Sequence, residues 1–82
     1  MFIIKDSTAI INIDEFFSIE RKDDTIILSS PIAEERLQFK SKQNARQAME
    51  VLSDAVMAGS NVRIIETDDE NILHLFFSSR SL

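Results

Sequence analysis

The sequence predicts an α+β domain: a meander of short antiparallel strands, one amphipathic helix over about residues 42–58, then a C-terminal β-hairpin, in the order ββββαββ. Three observations point there. Short runs rich in Ile and Phe alternate with turn-forming pairs, as a meander requires. A single stretch carries apolar residues at helical spacing between a capping serine and the chain's one glycine. Two further apolar runs then flank an acidic turn.

Before the helix, the strand segments are Phe2 to Lys5, Ala9 to Ile13, Phe16 to Arg21, Thr25 to Ser29 and Arg36 to Lys40. The first reads as an additional edge strand. Asp6-Ser7 and Asp23-Asp24 supply turns, and Ser30-Pro31 separates the last two segments because proline lacks the ladder donor and biases its predecessor to extended backbone. Between Lys42 and Ala58, the positions Ala45, Ala48, Met49, Leu52, Ala55 and Val56 form one apolar stripe. Ser41 is placed to accept from the free N–H groups at its start, and Gly59 to take the left-handed conformation past its end. Alanines at 45, 48 and 55 flatten the stripe, so the helix is expected against a sheet, not in a coiled coil. Val62 to Glu66 and Ile72 to Phe77 then make the hairpin. Residues 1–78 read as one domain and 79–82 as a flexible tail.

At 82 residues the chain makes one domain at most. With 44% apolar residues it has material for a core and is too apolar for disorder. No Cys is present, which removes disulfide frameworks, thiolate nucleophiles and Cys-ligated zinc. A single glycine removes the Gly-rich phosphate loops, so no cofactor is expected. Apolar runs fall far short of the roughly 20 residues that span a bilayer, and no signal peptide or lipidation motif is visible. A cytoplasmic protein without membrane contact is the expectation.

A sheet with a helix on one face and water on the other should alternate apolar and polar residues. Phe2-Ile3-Ile4, Ile10-Ile11, Ile26-Ile27-Leu28 and Ile72 to Phe77 do not. One 17-residue helix covers one side of part of this surface, so the rest packs on a second sheet, closes on itself within the chain, or meets another subunit. A two-fold homodimer is the expected solution, with Phe2, Ile4, Ile72, His74 and Phe76 as interface candidates. A curved sheet folded over on itself is the alternative.

The formal charge of −5 argues against general nucleic-acid binding. Between Arg36 and Arg46 the sign reverses locally: Arg36, Lys40, Lys42 and Arg46 are basic and no residue is acidic. With the helix N-terminus this makes a candidate site for a phosphate, a nucleotide or an acidic partner; pairing of these cations with Glu34, Glu35 and Glu50 on a solvated face is the alternative. Glu66-Thr67-Asp68-Asp69-Glu70 lacks the glycine and spacing of a calcium loop and reads as a solvated turn. His74, the one histidine, has no second His or Cys to share a metal and reads as structural or interfacial. Phe16, Phe17, Phe76 and Phe77 lack the interleaved basic residues of a base-stacking platform and read as packing residues. No catalytic constellation is expected.

Ile11-Asn12-Ile13-Asp14 with Phe17-Ser18-Ile19-Glu20, then Phe39-Lys40-Ser41 leading into the helix with Ala45, Ala48-Met49, Leu52, Ala55 and Gly59, resembles short uncharacterised bacterial and phage or prophage single-domain proteins. The resemblance covers most of the chain through core and capping positions and carries over no functional residue. It implies an accessory factor that acts by binding, so the expected function is a non-catalytic, homo-oligomeric interaction module, on the phage pattern one that engages a host protein. A binder of a small anionic ligand at the basic patch is the second expectation.

Overall fold

A computed structural model describes residues 1–78, and the tail expected at 79–82 lies outside them. The fold is α+β, with seven strands in two sheets and one helix. Strands β1 (Phe2–Lys5) and β2 (Ala9–Asn12) form a hairpin, followed by a 3₁₀ turn at Ile13–Glu15. Strands β3 (Ser18–Lys22), β4 (Thr25–Ser29) and β5 (Glu34–Gln38) form a three-stranded meander. Helix α1 (Lys42–Ala58) leads to β6 (Asn61–Glu66) and β7 (Ile72–Phe77). The other sheet has the order β2-β1-β6-β7, in which β1 and β6 are parallel and the remaining pairs antiparallel. The segment expected at an edge, β1, therefore lies inside the sheet. A parallel neighbour needs a long crossover, which the meander and the helix supply.

The helix ends where its capping residues place them. Ser41 Oγ accepts from the Asn44 N–H at 3.0 Å, and Gly59 sits at φ 65° with its N–H on Val56 O at 3.2 Å. Strand boundaries move by one or two residues from expectation, for local reasons. Asn12 Oδ1 accepts from Asp14 N–H and Phe16 N–H turns to Ile13 O, so β2 stops at Asn12 and β3 starts only at Ser18. Ser30 closes a tight turn with Ala33, which lets Glu34 pair with Ser29 and start β5 early. At the other end Lys40 N–H leaves the ladder for Glu66 Oε2 at 2.7 Å.

Helix α1 packs across both sheets. Its buried residues are Asn44, Ala45, Ala48, Val51, Leu52 and Ala55, so the stripe is rotated from the expected one: Val51 is in the core and Val56 is half exposed. Three fully buried alanines bring the helix backbone close to the strands. Ile3, Ile11, Val62, Ile64 and Ile72 from the four-stranded sheet meet Ile26, Leu28 and Leu37 from the meander, and these residues share one buried cluster with the helix and Phe39. Phe16 packs against that cluster, whereas Phe17, expected in the packing, is 81% exposed.

Candidate functional site

Strand alternation decides which residues the four-stranded sheet turns away from its core. Ile3, Val62 and Ile64 point in, so Ile4 and Arg63, paired in the β1–β6 register, point out. Ile10 lies opposite Ile4 and Leu75 opposite Arg63, giving an outer row Ile10, Ile4, Arg63, Leu75 across all four strands. A second row pairs Ile65 with Leu73, and Phe2 and Phe77 lie at the opposite end. Ile10 is 72% exposed, Leu75 63% and Leu73 60%. Arg63 is the one charged strand residue on this face among the described residues. No described element packs over this face.

Of the five interface candidates, Phe2 and Ile4 lie on this open face, while Ile72, His74 and Phe76 lie on the opposite side of β7. Ile72 is buried beneath the helix; His74 and Phe76 are exposed beyond its cover and meet edge to face at 5.2 Å. The residues of β7 that share the open face are Leu73, Leu75 and Phe77. Because β7 is apolar on both sides, its sequence carries no alternation from which the outward set could be read.

Where the two sheets meet the helix start, a polar cluster is buried. Lys5, 7% exposed, donates to Asp6 Oδ2 and to Glu66 Oε1, each at 3.0 Å, with its ammonium 4.8 Å from the Phe39 ring centroid. Glu66 Oε2 accepts from the Lys40 N–H and from Asn44 Nδ2 at 2.8 Å, and Asp6 Oδ1 accepts from the Glu66 N–H. Asn44 Oδ1 has no partner among the described residues, so this amide is anchored on its donor side alone. Burial pushes both carboxyls up, but hydrogen bonds reverse this: for Glu66 from Asn44, Lys40 and Lys5, for Asp6 from the Glu66 N–H and Lys5, leaving both below their ordinary values. Burial likewise pushes Lys5 down, and its bonds to Asp6 and Glu66 leave it raised. Glu66, expected in a solvated turn, is thus a buried structural anion ending β6. Lys5, which on sequence only interrupts an apolar start, is its partner. A lysine and a glutamate 61 positions apart carry no local signal of pairing.

This cluster changes what the basic patch offers. The carboxylate of Glu66 already sits beside the helix start, next to Lys40 and Asn44. Arg36 is on the outward face of the meander, paired with Glu34 at 3.0 Å, as the solvated reading of the patch anticipates. Lys40 Nζ reaches Asp68 at 3.7 Å, and Lys42 and Arg46 have no ion pair among the described residues. None of the four cations lines the three grooves at the 3₁₀ turn, along the helix at Met49 to Met57, or on the outer face at Arg63 to Leu75. A groove of about 530 Å³ lies elsewhere, between the 3₁₀ turn with Phe16 and Phe17 and the helix end at Val56 and Gly59. No group of three or more His, Cys, Asp or Glu side chains is arranged for a metal among the described residues, and no helix there is long and apolar enough to cross a membrane. No protein-family model, curated protein or solved structure matches this chain, so its site is defined by geometry alone.

Proposed function

We propose that this protein is an interaction module that associates with copies of itself through the outer face of the four-stranded sheet. The observation that carries the reading is the row Ile10, Ile4, Arg63, Leu75 with Leu73 and Ile65 beside it, apolar side chains turned to water around one cation. The largest contiguous apolar patch on a soluble domain is often a binding surface, and a sheet face of this kind can be buried by a second sheet packed about 10 Å away. A two-fold operation presents the same face to itself, so no second chemistry is required of the partner. An anionic ligand at the helix start would have Lys42 and Arg46 as its unpaired cations, with the buried Glu66 carboxylate opposing it.

The test is the mass of the purified protein by light scattering coupled to size exclusion, for wild type and Ile10→Lys. Ile10 lies on the edge strand β2, at the opposite side of the sheet from β7, and is mostly exposed, so the variant should fold. A mass above one chain that falls in Ile10→Lys is the expected result. Identical masses for the two proteins overturn the reading.

A further inference from the structure

Resting on that reading, we infer that the outer edge of β7 pairs antiparallel with β7 of a second copy, joining two four-stranded sheets into one of eight strands. The described residues form two sheets with four edges, β2, β7, β3 and β5. β3 carries Glu20, Arg21 and Lys22 and β5 carries Glu34, Glu35 and Arg36, charges that discourage edge pairing. β2 is four residues long. β7 is six residues of Ile, Leu, His, Leu, Phe and Phe with no formal charge, proline or lysine, and no described strand lies outside it.

The hydrogen bonds fix which groups face out. Asn71 O accepts from Thr67 across the hairpin, whereas Ile72 N–H turns away from β6 to Asn71 Oδ1 and to Gln47 of the helix. By alternation the N–H and C=O groups of His74 and Phe76 also point away from β6. Placing His74 opposite Phe76 of the second copy pairs all four of these groups in both chains. It sets Leu75 against its own copy on the open face, and one exposed aromatic side chain against another on the other face.

Area gives the pairing its consequence. Two strands of four residues and two of six, at about 3.3 Å per residue and about 4.8 Å between strands, make an open face on the order of 300 Å². A specific interface buries about 800 Å² per partner. One copy's face is therefore small for a stable contact, and the joined sheet doubles it. The expected particle has four chains: two eight-stranded sheets packed through their apolar faces.

His74→Pro tests the edge without touching the face. Its N–H points away from β6, so proline removes an edge donor and leaves the intrachain ladder intact. The expected result is a fall to half the wild-type mass or to single chains, because one copy's face alone is small for a stable contact, while Ile10→Lys leaves the edge pair and stops at two chains. A His74→Pro protein that is folded and keeps the wild-type mass overturns edge pairing and leaves the face reading standing. The reverse pattern, with Ile10→Lys keeping its mass and His74→Pro losing it, overturns the face reading and supports the edge. A wild-type monomer at all concentrations overturns both. Amide exchange of the wild type provides a readout that needs no variant: His74 and Phe76 N–H should exchange slowly at high concentration and quickly on dilution, and concentration-independent fast exchange overturns the pairing.

Discussion

The two sheets share one core and differ on the sides they turn away from it. In the meander the outward rows are Ser18, Ser29 and Glu34, then Glu20, Ile27 and Arg36, then Lys22, Thr25 and Gln38. In the four-stranded sheet the corresponding rows are Asn12 and Phe2 with Asn61 and Phe77, then Ile10, Ile4, Arg63 and Leu75, then Ile65 with Leu73. The meander has one apolar residue among nine outward strand positions and the other sheet seven among ten, the rest being Asn12, Asn61 and Arg63. Both sheets fulfil the folding requirement with their inner faces. The outward contrast is therefore not needed for the core, and it separates a polar outer side of the molecule from an apolar one.

The largest effect expected from breaking this arrangement comes from the joint between the sheets. Glu66 ends β6 in one sheet and holds the Lys40 N–H just beyond β5 of the other. Glu66→Ala removes one of the two carboxylates on the buried Lys5 ammonium and the acceptor of the Lys40 N–H and the Asn44 amide, and should cost about 3 kcal/mol, measured by urea unfolding. Next comes the contrast itself. Leu73→Lys on the open face should weaken self-association by about 10- to 100-fold, from the roughly 1.5–3 kcal/mol of burying one leucine. Ile27→Lys on the meander should leave the particle mass unchanged in the same light-scattering measurement; a loss of mass there would move the interface to the other sheet.

A smaller, pH-dependent effect separates the joint from both faces. Glu66 and Asp6 titrate below their ordinary 4.5 and 3.8 in the folded chain, so their contribution is complete above those values and is lost as pH falls through the lowered ones. Lys5 titrates above its ordinary 10.5, so its share is complete below that value and is lost as pH rises through the raised one. Unfolding followed from pH 7 downward should show this acid loss in wild type and a shallower one in Glu66→Gln. The smallest effect is Gly59→Ala. Nothing crowds the site of a Cβ there, so the cost is the left-handed backbone alone, about 1 kcal/mol, and the particle mass should not change.

Much of this is legible in the sequence. Ser41 and Gly59 bracket the helix because capping is local chemistry, and the Asp23-Asp24 turn closes a hairpin for the same reason. The excess of apolar residues on strands also announced a face that one helix leaves uncovered. Other features depend on neighbours that the sequence does not name. That β1 lies inside a sheet beside β6, that Leu73 and Leu75 rather than His74 and Phe76 share a face with Ile4, and that Glu66 is buried on Lys5 all follow from pairing between residues about 60 positions apart in the chain.

By itself, then, the sequence determined the class, the order of elements, the helix and its ends, and the presence of more apolar surface than one chain covers, because periodicity, capping and turns act within a few residues. Tertiary structure decided how the strands divide into two sheets, which side of β7 faces water, and which carboxylate is structural. A strand apolar on both sides has two equivalent orientations until a partner strand sets its register, and an ion pair is buried only when the fold brings its two halves together.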